Sequence, residues 1–162
     1  IYNTQEQIWY YGNLERHAWL DSGVQNFPQA TNNNYVFQHE IGYNDDGSAM
    51  TNVFVESSDF DIGDGNQFSS ISSIIPDVRF LQDDNSGTIN IVTKMRNYPG
   101  ESLTTKATSE ISSSTTKANI RARGRQAVVR VESNDDQSGS GNLSLGWRLG
   151  ATRLDVKTDG RR

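Results

Sequence analysis

The sequence has no cysteine, and its 162 residues include only two histidines, two methionines and three prolines. Without cysteine there is no disulfide scaffold, no thiolate zinc site and no cysteine nucleophile. No apolar run approaches the roughly 18 residues that a membrane-crossing helix needs, and no signal peptide is recognisable. The chain opens at Ile1 rather than Met, which reads as a processed or excised piece. Apolar residues are scarce too, at 33% of the chain with a mean hydropathy of −0.69. Ser, Thr and Asn fill 45 positions. Such polarity borders on that of disordered chains, yet the apolar residues are clustered and periodic, as in a folded domain. The length fits one domain or one and a half. With few histidines and no catalytic motif, the composition leans toward a binding or structural part.

Charge is unevenly spread. Residues 1–100 hold 13 acidic and 4 basic side chains, a net of −9, whereas residues 101–162 hold 7 acidic and 11 basic, a net of +4. An isoelectric point near 5.0 argues against a general nucleic-acid binder, whose footprint is a basic domain. The basic C-terminal strip can still meet phosphate or an acidic neighbour.

The pattern is β almost throughout. Short runs rich in Val, Ile, Phe, Tyr and Thr alternate with Gly, Asn, Asp and Ser clusters, and helical periodicity is missing. Strands are expected at Ile8–Tyr11, Tyr35–Ile41, Asn52–Ser57, Phe68–Ile75, Val78–Leu81 and Thr88–Arg96. Five more are expected at Thr105–Ile111, Asn119–Arg123, Ala127–Ser133, Leu143–Leu149 and Arg153–Val156. Turn residues separate them at 44–47, 63–66, 83–87 and 137–142. Strands at this spacing without helices predict an all-β fold, an antiparallel sandwich of jelly-roll type over residues 35–162. Residues 1–34, with Tyr2, Trp9-Tyr10-Tyr11, Trp19 and the loop from Asn26 to Asn34, read as the end of a propeller-like or linker segment.

Two strands alternate cleanly. Ile89, Ile91, Thr93 and Met95 share one face, and Asn90, Val92 and Lys94 the other. Arg121, Arg123 and Arg125 likewise fall opposite Ile120, Ala122 and Gly124, spaced about 6.6 Å apart along the strand. Such a row repels itself unless anions lie opposite, and Asp155, Glu132 or a neighbouring subunit could supply them.

Sites that bear chemistry are few. Asp59, Asp61 and Asp64, downstream of Glu56, form a weak candidate metal loop. Calcium favours such oxygen-rich loops, but from Asp59 the EF-hand spacing puts Asp64 where Gly belongs and Ser70 where Glu belongs. His17 and His39 have no nucleophile-and-acid context, and Ser140 sits in a Gly-Ser-Gly loop rather than a nucleophile elbow. Glu40, Glu56, Asp59 and Asp61 could face a groove near Trp9 or Tyr43 as in a glycosidase, but no spacing fixes the pair. Exposed Trp9 and Trp19 could equally form a sugar-binding platform. There is no phosphate-binding Gly-rich loop. Trp147 reads as a core or seam aromatic, with Arg148 emerging on the other face.

Three stretches carry a family resemblance: Val55-Glu56-Ser57-Ser58-Asp59-Phe60-Asp61-Ile62-Gly63-Asp64-Gly65, Ile74-Ile75-Pro76-Asp77-Val78, and the C-terminal run from Arg121 to Ser133. That run continues at Trp147-Arg148-Leu149-Gly150 and Arg153-Leu154-Asp155-Val156 and ends at Asp159-Gly160-Arg161-Arg162. Together they resemble the C-terminal region of tail nozzle proteins of short-tailed bacteriophages, the tail tubular B or packaged-DNA stabilisation group. The opening Tyr2-Asn3 and Trp9-Tyr10-Tyr11-Gly12 resemble the end of the propeller-like portion that precedes it. Residues 137–142 look like an insertion. The resemblance implies a non-enzymatic virion part, made in the bacterial cytoplasm and needing no cofactor. It would form a ring, commonly six-fold, below the portal and its adaptor, in contact with tail fibres. The ring would close the channel on packaged DNA and conduct it during ejection. Arg121, Arg123, Arg125, Arg130 and Arg148 then become candidates for subunit contacts, since head-to-tail rings need two complementary patches on one chain; the competing reading puts the row Arg121, Arg123 and Arg125 in the DNA channel.

Overall fold

The computed structural model describes residues 2–5, 7–9, 11–45, 48–50, 52–61, 65–81, 87–134 and 145–161. Among these, strands and turns account for all regular structure, and every strand pair is antiparallel. The chain divides into two compact units, residues 1–42 and 43–162.

The first unit holds β1 (Tyr2–Asn3), β2 (Ile8–Trp9), β3 (Ala18–Leu20), β4 (Gln29–Asn32) and β5 (Tyr35–Gln38). β1 pairs with β2, and β4 lies between β3 and β5. Asn33 and Asn34 make the two-residue β4–β5 turn, both with positive φ. This is the geometry of a type I′ hairpin, and Asn tolerates it better than most side chains. The stretch expected to be a loop through Asn34 therefore contains a strand, β4, and the expected division after Asn34 falls inside the β4–β5 hairpin.

The second unit begins with the small hairpin of β6 (Asn44–Asp45) and β7 (Ser48–Ala49), followed by β8 (Phe54–Glu56), β9 (Ser69–Ile75) and β10 (Val78–Phe80). β11 (Ile89–Arg96), β12 (Thr104–Ile111), β13 (Ala118–Gly124), β14 (Gln126–Ser133), β15 (Trp147–Leu149) and β16 (Arg153–Thr158) complete it. One sheet runs β12-β11-β14-β8, a second runs β13-β9-β16, and β10 pairs with β15. Each of the eleven expected stretches carries a strand. The all-β, antiparallel expectation holds, and the two larger sheets share one core, an arrangement consistent with a sandwich.

That core follows from alternation. Ile89, Ile91, Thr93 and Met95 of β11 are all essentially inaccessible, as the period of two requires. They meet Ile71 and Ile74 of β9, Ile120 and Ala122 of β13, and Ala127 and Val131 of β14 in one apolar cluster. Trp147 packs against this cluster, as expected, and its indole N–H donates to the Ser133 hydroxyl at 2.9 Å. Gly124 ends β13 where the chain changes sheets. A Cβ there would lie 2.7 Å from the Met95 Cβ, so only glycine fits without displacement. Arg125 then bends the chain into β14, its N–H donating to the Arg96 carbonyl at 3.0 Å.

β9 breaks the simple period. Ile71 and Ile74 are three apart yet both buried, because Ser72 is an extra residue relative to β16. Such a bulge resets the alternation.

Candidate functional site

The arginines singled out by the sequence lie in three settings. On β13, Arg121 and Arg123 point outward while Ile120 and Ala122 point into the core. Arg123 reaches across to the segment after β16: its Nε lies 2.5 Å from Asp159 Oδ2, and Nη2 donates to the Asp159 carbonyl at 3.0 Å. Its guanidinium also lies 4.2 Å from the centre of the Phe68 ring, with that of Arg125 at 5.0 Å. Phe68 and the C-terminal segment are joined by backbone bonds, Phe68 N–H to Gly160 O at 2.8 Å and Asp159 N–H to Phe68 O at 2.7 Å. Two arginines thus cap one buried phenylalanine, and Arg123 ties the segment after β16 to β13. The anion opposite the row is Asp159, not the expected Asp155 or Glu132.

Arg130 lies in the second setting, the outer face of the four-stranded sheet. There it pairs with Glu132 and stacks over Phe54 at 3.6 Å. Glu56 accepts from Lys94 at 2.6 Å and has Arg130 at 3.6 Å. Arg96 pairs with Asp59 and donates to Gln126 at 2.8 Å. The hydrogen bond from Lys94 holds the Glu56 carboxyl below its usual range; the charges of Lys94 and Arg130 add to this, and partial burial opposes it. Glu56 and Asp59 are thus both engaged by basic side chains of the sheet.

Arg148, the third setting, lies on β15 directly opposite Arg79 on β10, both exposed. Like charges in register are unfavourable, and neither has an ion-pair partner among the described residues.

Of the candidate metal loop, Asp59 is committed to Arg96, Asp61 approaches the backbone at Gly65, and Asp64 lies outside the described residues. No group of three or more His, Cys, Asp or Glu side chains with metal-binding geometry occurs among the described residues. No helix there is long and apolar enough to cross a membrane.

The first unit carries an aromatic stripe that sequence reading noticed only as single residues. Trp19 packs on His39 with ring centres 4.9 Å apart, Arg16 donates to His39 Nε2 at 3.2 Å, and Arg16 lies 4.2 Å over Phe37. Tyr35 meets Phe37 at 6.3 Å. The signal was the period of two in Tyr35, Phe37 and His39, which puts the three on one face of β5 and its extension. Beside it lies an open cleft of about 400 Å³ lined by His17, Thr31, Asn32, Asn33 and Asn34.

Burial differs sharply between the units. Of the side chains described in residues 1–42, only Pro28 and Ala30 are buried. Trp9, Tyr11, Leu14, Trp19, Val24 and Tyr35 are each more than half exposed. Among the described residues, eleven of the eighteen exposed large apolar residues lie in residues 1–42. The chain matches no protein-family model and no curated protein.

Proposed function

We propose that this chain is a structural, non-enzymatic part of the tail of a short-tailed bacteriophage. In this reading it is a subunit of an oligomeric ring, of the nozzle kind, that closes the channel on packaged DNA and conducts it during ejection. The observation that carries the reading is the uncovered apolar surface of the first unit. Single exposed apolar side chains are ordinary, but a large excess of them within one small unit marks a surface meant to be covered. About 40 residues without cysteine make only a small core by themselves. It gains stability by laying its sheet against more protein, as the units of a ring or propeller do. The resemblance in Val55–Gly65, Ile74–Val78 and the C-terminal arginine-rich run names the kind of assembly.

The test replaces Trp9, Tyr11 and Val24 together by Ser and measures particle mass in solution. Loss of assembly, with the second unit still folded by near-UV dichroism at Trp147, is the expected result. A parent chain that is monomeric throughout the micromolar range contradicts the reading.

One observation favours a second reading, a carbohydrate-binding module of a phage tail. The cleft beside the stripe is lined by neutral amides, a hydroxyl and an imidazole, the kind of polar groups that orient a small ligand in a pocket. A glycan-binding assay on the parent and on Trp9 and Trp19 replacements decides it. Binding that disappears with the tryptophans supports this reading, and no binding by the parent removes it.

A further inference from the structure

The outer face of the β13-β9-β16 sheet has a composition unlike either the core or the paired-charge face of the other sheet. Its middle strand presents hydroxyls, the exposed Ser72 and half-buried Ser70, while its flanking strands present cations. One row across the sheet reads Arg123, Ser70, Lys157, set by the register of both strand pairs. Arg121 stands one period further along β13, and Arg153 lies at the far end of β16 opposite Ile75. Lys117 lies close enough to act on Asp155.

The two carboxylates on this face are already engaged. Asp155 accepts from the Ser72 hydroxyl at 2.6 Å, and Asp159 is held by Arg123. Five cations against two carboxylates leave the face at +3 within a chain of net −5. Arg121 and Arg153 have no partner among the described residues.

We propose that this face is a docking surface for the phosphodiester backbone of a nucleic acid, bound without regard to sequence. The chemistry distinguishes this partner from a protein. Protein interfaces centre on aromatic and aliphatic side chains and are depleted of charge at their core. Among the described residues, the only exposed large apolar side chain on the three strands of this sheet is Ile75, at its end. Guanidinium, ammonium and hydroxyl groups are the set that contacts phosphate oxygens. The register sets Arg123, Ser70 and Lys157 in a row, and among the described residues the face carries no helix to enter a groove. The acidity of the whole chain keeps such a contact weak and reversible. The proposal goes beyond ring assembly and does not rest on it, since a single chain already presents the face.

The test measures binding of the chain to a fluorescent DNA duplex of mixed sequence, and to a second unrelated duplex, by anisotropy. Both duplexes are expected to bind equally, with affinity falling steeply between about 50 mM and 200 mM salt. A variant carrying R121Q, R153Q and K157Q is expected to lose at least tenfold in affinity. Its plot of log affinity against log salt is expected to flatten by roughly 2–3, near 0.9 per phosphate contact removed. These residues are exposed, so unchanged dichroism accompanies the loss. A control variant, R79Q with R148Q, is expected to bind as the parent does.

Absence of binding by the parent at the lowest salt overturns the proposal. So does an equal loss in the control, or a triple variant that binds normally. If the triple variant keeps DNA binding but loses self-association, the face is a protein contact, and the proposal fails in favour of that.

Discussion

Thr93 carries a hydroxyl into the centre of an aliphatic core. Its side chain is inaccessible, and its Oγ1 finds no hydrogen-bond partner among the described residues. A buried polar group left unpaired costs about 1–3 kcal/mol, and valine has nearly the same shape. Thr93→Val is therefore expected to raise stability by about 1 kcal/mol, read as a higher denaturant midpoint with an unchanged slope. A lower midpoint means that the hydroxyl has a partner. Glu56 makes the opposite kind of contribution. Its native pKa lies below the ordinary 4.5, so the unfolded chain binds a proton more readily than the folded one. Its stabilisation is then complete above that ordinary value and is lost as pH falls through the native one. Glu56→Gln is expected to cost roughly 1 kcal/mol or less near neutral pH. That cost should vanish in acid once the parent's Glu56 is protonated. Denaturant titrations at a series of pH values check this, and a pH-independent difference contradicts the ion-pair account.

The elements differ in how openly the sequence announces them. β11 is plain, because Ile89, Ile91 and Met95 alternate with Asn90, Lys94 and Arg96, and only Val92 and Thr93 depart from the pattern. β9 is not, since Ile71 and Ile74 share a face only through the bulge at Ser72, and that bulge answers to β16, more than 80 residues away. β4 hides for another reason. Gln29-Ala30-Thr31-Asn32 has little strand propensity, and its place between β3 and β5 makes it a strand by pairing on both edges. The arginine row was legible as alternation. Its partners were not, because Phe68 and Asp159 come to it through tertiary structure. The crossing from β13 to β14 depends on Gly124, whose φ is ordinary; what it supplies is space beside Met95. Gly124→Ala is expected to destabilise by about 1–3 kcal/mol, the usual cost of overpacking. Pairing it with Met95→Ala should recover part of that loss in a double-mutant cycle. Strictly additive effects contradict the steric explanation.

At the scale of the molecule, the two units have opposite economies. Residues 43–162 close a core between two sheets and neutralise most charges on one outer face with their own partners. Residues 1–42 leave their aromatic and aliphatic side chains outside. The second unit is thus complete in itself, and the first is not. Composition pointed to a structural or binding part. Which surface remains uncovered could not be read from it, because burial is a property of the folded chain. Electron microscopy of the native particle that carries this chain tests assembly into a ring. A closed ring, coaxial with a phage portal and with the first unit's apolar face covered, is the predicted result. A monomer or a trimeric spike contradicts the account.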